Sequence, residues 1–500
     1  MGQLLLILEK ASIPFSAFPS FNSKRYQVSY KTLPSLPLAY WPNGVPCHLI
    51  NHWLVKKSLI STGRQSARTR AFKLTQLIRY CFDVGIDFFE MNDAHLEKFA
   101  TVLTSETKLD RHGMPTEKRL NNQTLQIQLE ALYFLQWISE NYPLPYHGKL
   151  VGLESDSPRI TIELRESLKG REPTIWHASL VEPVAPLNDK FPMPDRYINQ
   201  LQNEVFRRHD ISRLPPKSKL KLVNDDFLFR ATNKYIYDRR MFSIRMFKNF
   251  GLRPEELYDL SLDRNSEITK SLTLYIPTKK RRFKKAPTRR IKIGLVMATS
   301  INNYFKSRTT YIDFLTSKGI TVADPNCVYI GEHGKRIKKE SLTKEFDRLA
   351  DSAGLKDVKA CLSMFRHRFI TREIHASLIL KFKTNKKLKS KLTEQLRDDI
   401  CREVAQKTGH GDYRSLFTYF HEEYSLLTKQ PHYDKCVELK QRIDELKDTM
   451  ADVRFLESEH SRKSTKSIIA ELEASLTTME ETLYALREDG ELDEDDMDTD

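Results

Sequence analysis

Between residues 146 and 194 the chain carries six prolines, Pro158, Pro173, Pro183, Pro186, Pro192 and Pro194, with little apolar periodicity around them. Proline lacks a backbone N–H and its ring clashes with the preceding turn, so no long helix crosses such a stretch. The chain is therefore cut into two blocks. In the first, 51–145, Phe72, Leu74, Leu77, Ile78, Cys81 and Phe82 recur at helical spacing, and so do Leu125, Ile127, Leu129, Leu132, Tyr133, Leu135 and Trp137. This block reads as a small all-helical domain. Its surface bases include Lys56, Lys57, Arg64, Arg68 and Arg70. The second block, 195–427, is also mainly helical, with one interruption. LTLYI and RIKIGL read as short strands, and the very basic segment between them reads as a hairpin turn. A length of 500 residues suits two or three domains rather than one core.

Three further segments complete the division. Residues 1–50, rich in proline, serine and aromatics, read as an extended N-terminal arm without a core of its own. Residues 146–194 read as a linker. In 428–487 two apolar seams step by three and four: Leu439, Ile443, Leu446, Met450, Val453, and then Ile469, Leu472, Leu476, Met479, Leu483, Leu486. That spacing predicts a coiled-coil hairpin. Residues 488–500 form an acidic tail of nine carboxylates and no base. The net charge of +15 therefore becomes 15 + 9 = +24 on the body. So basic a body points to a polyanion, most simply nucleic acid. No run of 18 apolar residues suggests a membrane span. The apolar start is too short, and meets Glu9 and Lys10 too early, for a signal peptide. Six scattered cysteines with no CxxC pair read as reduced thiols of a cytoplasmic protein, and they suggest no metal site.

Four short segments follow one another along the second block. They are Gly251-Leu252-Arg253-Pro254-Glu255-Glu256-Leu257, the basic hairpin beginning at Lys279, Ser363-Met364-Phe365-Arg366-His367, and Thr408-Gly409-His410-Gly411, with Tyr419 nine residues after His410. Taken in this order, they resemble the tyrosine recombinase, or phage integrase, family. The resemblance implies a mainly α fold with a small β-sheet. It pairs a helical core-binding domain with an α/β catalytic domain over 195–427, followed here by the coiled-coil hairpin. It also implies a site-specific integrase of a mobile element, which breaks and rejoins DNA through a 3′-phosphotyrosyl intermediate without metal or ATP.

The residue types suit that chemistry. A phosphodiester spreads its charge over two oxygens, and two arginines can clamp them and stabilise the extra charge of the transition state. By resemblance these are Arg253 and Arg366, with Tyr419 as nucleophile. Lys279 would be the acid for the leaving sugar oxygen, with Lys280 as the near alternative, and His410 would be a hydrogen-bonding phosphate ligand. Glu256 and His367 are expected to orient the clamp. Tyr413 and Tyr424 stand three and fourteen residues from His410, not nine.

The sequence departs from the family at Ser363, where the family usually has histidine; serine donates a hydrogen bond but is no base near neutrality. Between Arg366 and His410, Lys381, Lys383, Lys386, Lys387, Lys389 and Lys391 form a basic insert suited to phosphate contacts. The implied partners are double-stranded DNA, three further copies of the chain on paired sites, and a protein reached through the C-terminal hairpin. Two alternatives remain open: a type IB topoisomerase-like nicking-closing enzyme, and a catalytically weakened DNA-binding accessory protein.

Overall fold

The computed structural model describes residues 3–19, 26–60, 64–109, 113–165, 173–184, 191–213, 226–279, 288–358, 360–385, 388, 393–429, 433–459 and 463–488. Lys280, Lys386, Lys387, Lys389, Lys391 and the acidic stretch 489–500 lie outside them. The described residues are mainly helical with small two-stranded sheets. They form two compact units, one within 1–188 and one within 189–500. No described helix is long and apolar enough to cross a membrane.

In the first unit the N-terminal arm is a β-hairpin. Strand β1 (Leu5–Pro19) pairs antiparallel with β2 (Tyr26–Ala39), from Leu5 opposite Ala39 onward. Prolines are tolerated because a two-stranded ribbon has no inner strand, so a missing N–H can face away from the pairing. The arm is not detached: Leu33, Leu36 and Ala39 are buried. Four helices build the core, α1 (His48–Ile60), α2 (Arg64–Val84), α3 (Asp93–Ser105) and α4 (Asn121–Asn141). They meet around Trp53, Leu74, Ile78, Phe99, Phe134 and Trp137. Of the surface bases, Arg70 is engaged by the buried Glu130 carboxylate at 2.6 Å.

The proline-bearing stretch does not behave as a spacer. Leu150, Val151, Ile160, Ile162, Ile175 and Trp176 are buried in the same core. Short strands make this possible: Val151–Gly152 pairs with Ile160–Thr161, and Glu163–Arg165 with Thr174–Trp176. Each strand is only two or three residues long and fits between prolines, so no periodicity announces it.

In the second unit the chain runs α5 (Asp195–His209), α6 (Asp226–Phe250), α7 (Pro254–Tyr258), α8 (Ile268–Ser271), β3 (Thr273–Pro277), β4 (Thr288–Lys292), α9 (Leu295–Ser317), α10 (Lys339–Ser352), α11 (Leu362–Thr384), α12 (Glu394–Thr408) and α13 (Phe417–Lys429). Then come α14 (Tyr433–Glu459) and α15 (Lys463–Glu488). One core gathers α5, α6, α9, α10 and the start of α11. In it Tyr235 stacks on Tyr311 at 4.3 Å and Phe242 on Tyr304 at 4.0 Å. A second core packs the rest of α11 against α12, α13 and α14 around Ile374, Leu378, Ile400, Val404, Phe420 and Tyr433. Helix α11 belongs to both cores, which places its polar residues in the protein interior.

Strand β4 begins at Thr288, two residues before the RIKIGL run, and Arg289 pairs opposite Ile276. At the C-terminus α14 and α15 pack together, with Lys447 paired to Glu480 at 2.7 Å. Leu472, Leu476, Met479, Leu483 and Leu486 form the half-buried stripe of α15. Helix α14 carries a second stripe beside its expected seam. Tyr433, Cys436, Val437 and Asp444 are buried, the first three in the core shared with α11 to α13. The first helix of the pair thus packs one face into the core shared with α11 to α13 and turns its expected seam toward α15.

Candidate functional site

Helix α6 ends at Gly251 with φ +53, and a Cβ there would lie 2.6 Å from that of Phe369. Only glycine fits this reversal. The chain then enters α7 through Arg253, with Pro254 in the first turn where its missing N–H costs nothing. Glu256 closes the turn. Its carboxylate accepts the Arg253 backbone N–H at 3.0 Å and the Arg253 guanidinium at 2.9 Å.

Glu256 is wholly buried. A carboxylate taken out of water costs several kcal/mol unless it is paired. Here Arg289 Nη2 donates to it at 2.6 Å, the Lys279 backbone N–H reaches it at 3.5 Å, and Arg366 Nη1 lies 4.0 Å away. One carboxylate therefore gathers three guanidiniums, from the N-cap of α7, from β4 and from α11. Three positive charges and one negative leave a surplus of two.

The same arginines tie down the end of α12. Arg366 donates to Gly251 O at 2.9 Å and to Thr408 O at 2.6 Å; Arg289 donates to Lys407 O at 2.8 Å. Thr408 O and Lys407 O are helix C-terminal carbonyls, which favour cations. Gly409 follows with φ +70, and a Cβ on it would press within 3.2 Å of the Arg289 side chain. This turn delivers His410. The Thr408 hydroxyl donates to Val404 O at 2.7 Å, so His410 Nδ1–H is the donor to Thr408 Oγ1 at 2.6 Å. That assignment leaves Nε2 as an acceptor, 3.4 Å from Arg366 Nη2.

The surplus charge bears on the ionisable groups of the cluster. Burial, then Arg253 and Arg289, push the Arg366 guanidinium down to about 9, against the pull of Glu256. Burial and the three arginines hold the His410 imidazole at about 3, so it is neutral at pH 7. A cluster whose positive charges disfavour one another is a site waiting for an anion.

Tyr419 is on α13 and its hydroxyl hydrogen-bonds with His367 Nδ1, the residue next to Arg366. Burial and Glu422 raise its hydroxyl to about 12, with Arg366 acting in the opposite direction. Tyr413 and Tyr424 bond elsewhere, to Asp398 and to Leu388 O.

The structure thus brings together Arg253, Glu256, Arg366, His367, His410 and Tyr419. Lys279 joins only through its backbone; its ammonium pairs with Asp259 at 2.7 Å. Ser363 lies one turn before Arg366, and its hydroxyl meets the Cys361 thiol at 3.0 Å. Lys381 and Lys383 are exposed at the end of α11. Arg289 is the residue the motif order missed. Strand alternation is the signal that finds it, because Arg289 shares a face with the buried Ile276 once the strand starts at Thr288. Among the described residues, no group of His, Cys, Asp and Glu is placed to hold a metal ion.

No family model and no curated protein matches the chain. Solved structures do. The XerA recombinase aligns at 10% identity over 77% of this chain and 100% of that one, with a TM-score of 0.30. The XerH site-specific recombinase bound to palindromic difH substrate, a post-cleavage complex, aligns at 13% over 77% and 82%, with a TM-score of 0.39. Its pre-cleavage complex with difH aligns at 12% over 74% and 85%, with a TM-score of 0.38. At these values the functional reading rests on the site's own residues.

Proposed function

We propose that the chain is a tyrosine recombinase that cleaves and rejoins DNA through a phosphotyrosyl bond. The observation that carries this reading is three guanidiniums on one buried carboxylate beside a tyrosine hydroxyl paired with an imidazole. A surplus of two positive charges matches a phosphodiester on its way to the more highly charged transition state. Arg253 and Arg366 clamp the non-bridging oxygens, and His410 takes its place beside them. Tyr419 Oη attacks phosphorus, and its proton passes to His367 Nδ1. The bond from phosphorus to the 5′ oxygen breaks, and that oxygen takes a proton from Lys279 once the ammonium leaves Asp259. The linkage energy stays in the phosphotyrosyl bond, so the reverse attack by a 5′-hydroxyl rejoins the strand without ATP or metal. In this reading the first unit is the core-binding domain, four copies act on paired sites, and the DNA belongs to a mobile element.

The test is a nicked suicide duplex, which traps the covalent adduct. Wild-type protein should form it in EDTA without ATP. Tyr419→Phe should bind the duplex and form none, while Tyr413→Phe and Tyr424→Phe retain it. Adduct in Tyr419→Phe, or a strict need for a divalent metal, sinks the assignment.

A further inference from the structure

Helix α14 follows every motif of the site, yet buried polar contacts join it to the three helices that carry or immediately precede those motifs. Toward α13, Tyr433 Oη donates to Glu423 Oε1 at 3.2 Å. Glu423 lies one turn beyond Tyr419, is buried, and pairs through Oε2 with His375 Nδ1 of α11 at 2.9 Å. Toward α11, the buried Asp444 meets Arg368 Nη2 at 2.8 Å, two residues after Arg366. Arg368 also meets Asp195 of α5 at 2.7 Å. Toward α6, Lys248 Nζ lies 3.6 Å from Asp444 and 3.2 Å from Asp448, five residues before Arg253. Arg372 is 4.0 Å from Asp444.

Helix α14 thus supplies two carboxylates, Asp444 and Asp448, to a buried group of cations on α6 and α11, with Lys248 and Arg368 each within 3.6 Å of at least one of them. Breaking buried pairs by removing one side is strongly unfavourable.

We propose that α14, docked on its own chain, is a positioning strut of the active site. It sets the spacing between Arg366 and His367 on α11 and Tyr419 on α13, and Tyr433 and Asp444 are its positioning residues. The inference rests on the reading of Tyr419 as nucleophile, since spacing matters only to a reaction between these groups. A packing role alone would change stability without moving the Tyr419 hydroxyl relative to His367.

The experiment uses the full chain with fluorotyrosine in place of Tyr419, observed by fluorine NMR well below the melting temperature of each variant. The variants are Tyr433→Phe, Asp444→Asn and, as conservative rescue, Asp444→Glu. The first two should shift the resonance toward that of His367→Ala. On the nicked duplex, with natural tyrosine, they should slow single-turnover adduct formation about tenfold or more while DNA affinity stays within about twofold. Asp444→Glu should recover part of both readouts. A resonance and adduct rate equal to the parent's, whatever the melting temperature does, overturn the strut. If the parent forms no adduct, the nucleophile reading fails, and the fluorine resonance alone decides whether α14 positions Tyr419.

Discussion

The Tyr419 hydroxyl and His367 Nδ1 are hydrogen-bonded between α13 and α11, their rings 5.6 Å apart, with His367 the immediate neighbour of Arg366. In the proposed reaction, one helix would therefore present both the charge for the phosphate and the partner for the nucleophile. Because burial and Glu422 raise the phenol to about 12, it needs a proton acceptor at neutral pH. His367→Ala should slow adduct formation on the order of a hundredfold at pH 7, the size of a typical general-base contribution. The deficit should shrink as pH rises, because hydroxide replaces the missing base. Single-turnover rates from pH 6 to 10 check this; a deficit independent of pH would make His367 a brace and not a base.

Arg289 spans two elements at once, Glu256 at 2.6 Å and Lys407 O at 2.8 Å. Lysine keeps the charge but has no fork to reach both. Arg289→Lys should fold and lose adduct rate, with DNA affinity little changed. Arg289→Gln should destabilise by about 3 kcal/mol, because it deprives a buried carboxylate of its charge partner. Adding Glu256→Gln should restore stability but not activity. Denaturant titration beside the adduct assay reads both; equal activity in Arg289→Lys would reduce Arg289 to a fold residue.

The sequence made the site legible in proportion to how local its geometry is. Arg253 and Glu256 lie three residues apart and cap their own helix, so the short motif contains the interaction. Arg289 escaped because its role depends on where β4 starts, which is set by pairing to β3 and not by anything within the run of bases. The Pro-rich stretch escaped for a similar reason. Ile160 and Ile175 stand in stretches of two or three mainly apolar residues, too short to show a period, and their burial depends on a helical core already built elsewhere. In the tail, Leu472, Leu476, Met479 and Leu483 are plain in the spacing. The second stripe of α14, from Tyr433 to Asp444, mixes polar and apolar residues and is invisible to a count of hydrophobic repeats.

His410 ties stability to pH. Its folded value is about 3, while the unfolded imidazole takes a proton near its ordinary value of about 6.5. Between these values the unfolded chain holds the extra proton, so stability is fully present above the upper value and falls as pH drops toward the lower one. His410→Asn should flatten the loss between pH 7 and pH 4. An anion in the cluster offsets the arginines, so duplex binding by the parent should take up protons and binding by His410→Asn should take up fewer. Denaturation midpoints across that window and calorimetry in two buffers of different ionisation enthalpy measure these; identical slopes in parent and variant would exclude His410 as the linked group.

Lys381 and Lys383 stand exposed where α11 ends. Replacing them, with Lys386, Lys387, Lys389 and Lys391, by glutamine should weaken DNA binding about equally across sequences. It should also flatten the dependence of affinity on salt, because a phosphate that meets no lysine keeps its counterion. A slope unchanged from 50 to 300 mM salt would show that this segment does not touch DNA.

Ser363 lies in the first turn of α11, one helical turn before Arg366. Its hydroxyl pairs with the Cys361 thiol at 3.0 Å, a weak partner that it can leave for a phosphate oxygen. Ser363→Ala removes one hydrogen bond and should cost about 1 kcal/mol in the adduct rate, less than tenfold. Ser363→His should keep or raise that rate, because an imidazole one turn from Arg366 faces the same anion and can also exchange a proton. Cys361→Ser serves as the control: it keeps a partner for Ser363 and should leave the rate near the parent's. The comparison is made at saturating duplex with each fold confirmed by its melting curve. If Ser363→Ala folds and forms no adduct, serine at this position is essential to the chemistry.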